Sequence, residues 1–293
     1  MFDRDLDTFL VFNGTGANVF ALEILKRPAS AVLCTDIAHI YTMETGAPTK
    51  ITGMELITLK SNDGKMNINE LQKSFKVLGD VHYPQPKIVS ITQVTESGSV
   101  YTLDELKEIS KISKKNNAYL HIDGSRISNA LLSMGLTPKE FIAEVEPDVL
   151  IFGGTKNGLM FGEAILVFNK SLAENCIYLR KQTTQLMSKM KFLSAQFIPY
   201  IKDNLWYKNA KNSNDMAKYL KTKLKELDIE IVNSVDANIL FVKLPKRIIE
   251  PLREYSYFYI WNDDEGICRL ITNFDTEKSD IDGFIDKIKS LLK

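Results

Sequence analysis

The first two-thirds of the chain alternates short apolar runs with stretches in which apolar residues recur every three or four positions. The short runs at 9–12, 31–35, 87–91, 119–123, 149–153 and 164–168 are rich in β-branched residues and apolar on both faces, which predicts central strands of a buried sheet. Between them, 67–78 and 103–116 carry the helical period, and Thr102 followed by Glu105 forms a capping-box pattern at the start of the second. Strands alternating with helices predict an α/β fold, with a largely parallel sheet covered on both sides. From about Trp206 the texture changes to a Lys/Asn-rich amphipathic helix reaching about 227. Short strands follow at 230–232, 239–244, 257–261 and 269–273, with a closing helix to Lys293. That pattern predicts two domains, a large α/β domain over 1–205 and a small C-terminal α+β domain over 206–293.

Composition narrows the partners. With 293 residues, 44% hydrophobic and 25% charged, the chain is an ordinary globular one. Thirty-seven basic residues balance thirty-seven acidic ones without any Lys/Arg block, which removes the electrostatic reason to expect nucleic acid or an anionic membrane. A small-molecule substrate is the better expectation. Cys34, Cys176 and Cys268 lie far apart and form no C-x-x-C pair, so neither a metal site nor a disulfide framework is expected. Acids at the N-terminus and the lack of a long apolar run predict a cytoplasmic protein.

Ligands of open α/β sheets bind outside the carboxyl ends of the strands, and three segments there carry candidate chemistry. Asn13-Gly14-Thr15-Gly16-Ala17-Asn18 follows the first strand and opens a helix, where glycine amides, the Thr15 hydroxyl and the helix dipole suit a phosphate. His121-Ile122-Asp123-Gly124-Ser125-Arg126 delivers Asp123 to a strand tip. Gly153-Gly154-Thr155-Lys156-Asn157-Gly158 places Lys156 just past a buried strand, where desolvation favours a neutral, nucleophilic amine. Singly, each has a plainer reading: a glycine turn capping a helix, an Asp123–Arg126 ion pair or N-cap, and a lysine snorkelling to solvent. Together they supply a phosphate cradle, a carboxylate for a pyridinium nitrogen and a lysine for a Schiff base, and one cofactor needs all three, pyridoxal 5'-phosphate.

At these residues the chain resembles the threonine aldolase and aromatic amino acid β-eliminating lyase family of fold type I pyridoxal phosphate enzymes. Besides the three segments, Ala38-His39-Ile40-Tyr41 with Glu44-Thr45-Gly46 resembles the segment whose histidine stacks on the pyridine ring. Residues 93–99 take the place of the substrate-side turn, and Arg269-Leu270-Ile271-Thr272-Asn273 resembles the strand with a second carboxylate-binding arginine. The resemblance implies the aspartate aminotransferase fold, with a mostly parallel seven-stranded sheet in the large domain. It implies that Gly14, Thr15, Gly16, His39, Asp123 and Lys156 hold the cofactor and that Lys156, Asp123 and His39 are catalytic. Arg126 and Arg269 would bind the substrate carboxylate. Arginine is scarce here, at Arg4, Arg27, Arg126, Arg180, Arg247, Arg253 and Arg269 alone, so its bidentate fork at two strand-end positions adds modest support. His82 and His121 read as structural. Lys191 stands where the family tends to have arginine and is given no role.

The implied activity is cleavage of β-hydroxy-α-amino acids, such as L-threonine to glycine and acetaldehyde, by a homodimer or homotetramer. Two rivals are β-elimination from another amino acid and a non-catalytic scaffold that keeps only remnants of a site. The family's N-terminal arm has no counterpart in the twelve residues before Asn13. Cofactor binding is therefore the firmer expectation and full turnover the weaker.

Overall fold

The structure, a computed structural model, describes residues 1–293. It begins with β1 (Asp7–Val11), α1 (Gly14–Leu25), β2 (Ser30–Thr35), the short helices α2 (His39–Thr42) and α3 (Ala47–Thr52), and β3 (Glu55–Leu59). A hairpin of β4 (Ser61–Asn62) and β5 (Lys65–Met66) precedes α4 (Ile68–Ser74) and β6 (Gln85–Thr92). Then come α5 (Leu103–Lys115), β7 (Tyr119–Asp123), α6 (Ile127–Met134), α7 (Pro138–Val145), β8 (Val149–Gly153), β9 (Glu163–Val167), α8 (Cys176–Gln182) and α9 (Met190–Lys202). The last part comprises α10 (Leu205–Lys225), β10 (Ile239–Lys243), α11 (Lys246–Tyr255), β11 (Tyr259–Asn262), β12 (Ile267–Ile271) and α12 (Lys278–Leu292).

Seven strands form one sheet in the order β1-β9-β8-β7-β6-β2-β3. All are parallel except β9, which runs against both of its neighbours, β8 and β1. Alternation along each strand splits the core into two layers. Leu33, Val89, Ile91, Leu120, Ile122, Leu150 and Phe152 face one way and pack with Leu106 and Ile109 of α5 and Phe141 and Val145 of α7. Val32, Cys34, Ile88, Val149 and Ile151 face the other way and meet Phe20, Ala21 and Leu25 of α1. This is the mostly parallel seven-stranded α/β sheet expected, with helices on both sides. A second sheet, ordered β10-β12-β11, has its own apolar cluster with α10, α11 and α12.

Beyond α2, α3, α6 to α9 and the β4–β5 hairpin, for which the sequence pattern carries no expectation, three details differ from it. β3 was not anticipated: it is an edge strand with only Leu59 fully buried, so its hydrophobic signal is thin. Residues 230–232 form no ladder strand, only an isolated bridge between Ile231 and Val242. α11 was also missed, because Pro245 at its N-cap and Pro251 within it read as breakers, although Ile248, Ile249 and Leu252 give it a buried stripe.

Two glycines let the β7 and β8 ends approach closely. A Cβ on Gly124 would lie 2.1 Å from the Ile151 carbonyl oxygen, and one on Gly153 2.4 Å from the Ser125 carbonyl oxygen. The Gly153 amide donates to the Gly124 carbonyl at 3.1 Å. A polar seam ties α6, α10 and the end of β12 together. Asn129 Nδ2 donates to Ser213 Oγ and Asn214 Oδ1, and Thr272 Oγ1 donates to the Ser213 carbonyl. Arg126 precedes α6 and Arg269 lies on β12, so this seam fixes the two arginines relative to each other.

Candidate active site

Asp123 is the last residue of β7 and only 3% exposed. Its Oδ1 accepts from the Ser125 amide at 2.9 Å and from Ser125 Oγ at 2.7 Å, while Oδ2 accepts from Asn18 Nδ2 at 2.9 Å. Burial raises its pKa, but the Lys156 charge and the bonds from Asn18 and Ser125 outweigh it, so the carboxyl lies below its ordinary value. With these partners Asp123 makes neither of the simpler structures open to it. It forms no ion pair with Arg126, and the N-cap of α6 is Arg126 itself, without a side-chain cap.

Lys156 lies in the single tight turn Thr155–Asn157 after β8. Asn157 clamps that turn: its Nδ2 donates to Tyr200 Oη at 2.6 Å and to the Trp206 carbonyl at 2.8 Å, and its carbonyl accepts from Asn209 Nδ2 at 2.9 Å. The lysine is open to solvent yet stands within the mass of the protein, as the floor of a cleft does. Burial first, and the Arg126 charge second, push its amine below the ordinary lysine value against the pull of Asp123 and Glu163.

The glycine loop reaches the same place from β1. α1 begins at Gly14, and Asn13 caps it by accepting from the Gly16 amide at 2.6 Å. The amides of Gly14 and Thr15 remain as open donors of the first turn. A Cβ on Gly14 would come within 3.9 Å of Ser125 Oγ, which sets the loop beside the Asp123 turn. A Cβ on Gly16 would lie 2.2 Å from the terminal amide of buried Gln185, so a larger residue there would displace that side chain.

His39 opens α2, and two carboxylates hold it. Its backbone amide donates to Glu96 Oε1 at 2.7 Å, and its Nδ1 lies 2.8 Å from Glu44 Oε1. Glu96 also accepts from Thr92 Oγ1, and burial raises its carboxyl. Arg126 and Arg269 bring positive charge to the cluster. Each has a buried Nε without a partner, and burial together with the Arg269 charge lowers the Arg126 guanidinium to about 10. Arg269 is lowered by burial and stands 5.7 Å from the Trp261 ring centre. Two guanidiniums with buried, unpartnered Nε donors suit the binding of a carboxylate.

The structure thus brings Gly14, Thr15, Gly16, His39, Asp123, Lys156, Arg126 and Arg269 to one end of the sheet. Lys191 is exposed on α9 over its neighbour Phe192. Asn18, Glu44 and Glu96 lie in segments the sequence points to, without a role of their own there, and Gln185 lies outside them. The one hint of such a role was Asn18, a lone amide in the apolar run of α1.

A family model described as Beta-eliminating lyase matches residues 2–246. The chain is 38% identical over 294 residues to a low specificity L-threonine aldolase of Pseudomonas sp., covering all of this chain and 85% of that protein. Among solved structures, a Leishmania major threonine aldolase superposes with a TM-score of 0.92 at 34% identity, over 99% of this chain and 85% of that one. A Thermus thermophilus aspartate aminotransferase, 13% identical, superposes with a TM-score of 0.65 over 97% of this chain and 75% of the other, which is a likeness of fold.

Proposed function

The chain belongs to the β-eliminating lyase family, and from that premise we propose that it is a pyridoxal phosphate-dependent carbon–carbon lyase. Its substrates are β-hydroxy-α-amino acids, with L-threonine giving glycine and acetaldehyde. The observation that carries the reading is the placing of buried Asp123, held by Asn18 and Ser125, and of Lys156 at the ends of the adjacent strands β7 and β8, with two arginines whose buried Nε donors have no partner.

The residues present suit that cofactor. The open amides of Gly14 and Thr15 fit its phosphate. Asp123, buried and held ionised, fits a protonated ring nitrogen. The lowered Lys156 amine fits its aldehyde. When bound, pyridoxal phosphate supplies an electron-withdrawing ring that accepts the electron pair released as Cα–Cβ breaks.

The protein's own part is positioning and charge. Asp123 keeps the proton on the ring nitrogen. Arg126 and Arg269 grip the substrate carboxylate and so fix which Cα bond stands perpendicular to the ring. His39, half-buried and with its backbone amide held by Glu96, would stack on the ring. We place the division of the chain at 205/206, supported by the separate apolar cluster of the second sheet. The acting form is a homodimer or homotetramer.

The test is to reduce the protein with borohydride in the presence of pyridoxal phosphate, map the modified lysine, and assay L-threonine for acetaldehyde and glycine. Label on Lys156 and aldehyde release are expected, and Asp123→Asn should retain the label while losing about 100-fold or more in turnover, the scale of a charge-assisted contact worth about 3 kcal/mol. Label on a different lysine would sink the assignment. Pyruvate and ammonia in place of aldehyde would move the chain to β-elimination.

A further inference from the structure

Beneath the cleft, a chain of hydrogen bonds joins two residues that the proposed reaction uses separately. His39 Nδ1 lies 2.8 Å from Glu44 Oε1, Asn18 Nδ2 donates to that same oxygen at 2.7 Å, and Asn18 Nδ2 donates its other hydrogen to Asp123 Oδ2 at 2.9 Å. The three supports of His39 thus come from different elements: Asn18 from α1, Asp123 from β7 and Glu44 from the turn after α2. Asn18 is 1% exposed and Glu44 4%, so the middle of this chain is buried.

The geometry fixes the direction of each bond. Asn18 has a carboxylate oxygen on both sides of one amide atom, and only the nitrogen suits that place, because an amide oxygen there would face two acceptors. Glu44 Oε1 is therefore already an acceptor, and a proton on the same oxygen would compete with the Asn18 bond. With Glu44 accepting, Nδ1 of His39 carries the hydrogen, and Nε2 is the bare nitrogen of the neutral ring. The His39 side chain is 38% exposed while the Glu44 side chain against its Nδ1 is 0% exposed, so the open edge of the ring is the one away from Nδ1.

We propose that Glu44 is a positioning residue which fixes the Nδ1–H tautomer of His39 and, through Asn18, ties that imidazole to the Asp123 carboxylate. Nε2 is then the bare nitrogen on the open edge of the ring, free to accept a hydrogen bond from a substrate hydroxyl. The tautomer stands on the hydrogen bonds alone, whereas its catalytic consequence rests on the lyase reading above. Glu44 Oε2 and Asn18 Oδ1 are buried without partners, so Oε1 carries all of the Glu44 carboxylate's hydrogen bonds. A carboxylate kept in so costly a setting acts through what Oε1 holds.

The experiment uses the full chain labelled with 15N at histidine. It has three histidines, so three pairs of ring nitrogens appear. His82→Gln and His39→Gln assign them, and buried His121, whose pKa burial lowers to about 4, serves as the neutral internal marker. Neutral His39 is expected with hydrogen on Nδ1 and a bare Nε2. The opposite tautomer would overturn the proposal whether or not the chain binds pyridoxal phosphate or cleaves threonine.

Glu44→Leu should then give mixed tautomers, with the cofactor's absorbance retained, kcat lowered by about 10- to 100-fold and KM within about threefold. Glu44→Gln keeps an oxygen acceptor and should restore the single tautomer and part of kcat. It also serves where the leucine variant does not fold. A folded leucine variant with wild-type tautomer and kcat would refute the role of Glu44.

Discussion

His121 shows how one buried side chain makes the whole fold sensitive to pH. It lies on β7 two residues before Asp123, with Nδ1 2.9 Å from Ser90 Oγ and a buried Nε2 that has no partner. Burial lowers it to about 4, against a weaker opposing pull from Asp123, so the folded chain keeps it neutral where the unfolded chain, at about 6.5, takes up a proton. Because the unfolded state binds more protons in that window, the contribution is complete above pH 6.5, falls as pH drops, and is gone below about 4, a span of about 3 kcal/mol. Urea unfolding at pH 7 and pH 4.5 should show this fall in the wild type and much less of it in His121→Leu. Equal falls would mean that His121 charges within the fold. The strand-tip residues were legible in the sequence for the same reason that makes His121 costly. An apolar run ending in Asp123, or one followed by Lys156, puts a charge where burial must be answered. The roles of Asn18 and Glu44 were not legible, although both stand in segments the sequence marks, since Asn18 meets Asp123 at 105 residues' separation and no local spacing records that contact.

At the scale of elements, the site depends on two strand ends being closer than side chains allow. β7 and β8 pair through His121–Val149 and Ile122–Leu150, and beyond that ladder Gly124 and Gly153 carry the approach that sets Asp123 beside the Lys156 turn. Gly124→Ala would drive a methyl to 2.1 Å from the Ile151 carbonyl, a backbone atom that cannot swing aside. The expected cost is about 2–4 kcal/mol, read as a lower urea midpoint, with cofactor affinity falling further than stability alone explains because the turn carrying Lys156 is displaced. A variant with unchanged midpoint and affinity would show that the strand ends have slack. Neither glycine was legible as a packing requirement, since a glycine after a strand reads first as a turn. The central strands were legible because both faces are apolar, and α5 because Thr102 and Glu105 do form a capping box. Edge strand β3 and the proline-bearing α11 lacked those signals.

The whole molecule presents more apolar surface than one copy needs. On α9, Leu193, Phe197 and Tyr200 enter the core, while Ile198, Ile201 and, just beyond, Leu205 continue a second stripe at three- and four-residue spacing that is exposed. Phe192 at the start of α9 and Met160, whose amide bonds to Gln196 of α9, are exposed as well. A helix apolar on two faces is one that expects a neighbour on both, and a cluster of this kind on a soluble protein marks an interface. With thirty-seven charges of each sign, two copies meet without long-range repulsion. These features favour a second copy of the chain as the neighbour, joined over an area of the size stable dimers bury, on the order of 1,600 Å² or more. Sedimentation at micromolar concentration should therefore give a dimer or a multiple of it, and Ile201→Glu should shift it toward monomer by placing an unpaired charge in the contact. The core side of α9 is untouched by that change, so the variant's fold should persist while its assembly does not. A wild-type chain that sediments as a monomer while binding pyridoxal phosphate would show that the α9 stripe serves something other than self-association, and that the site is complete within one copy.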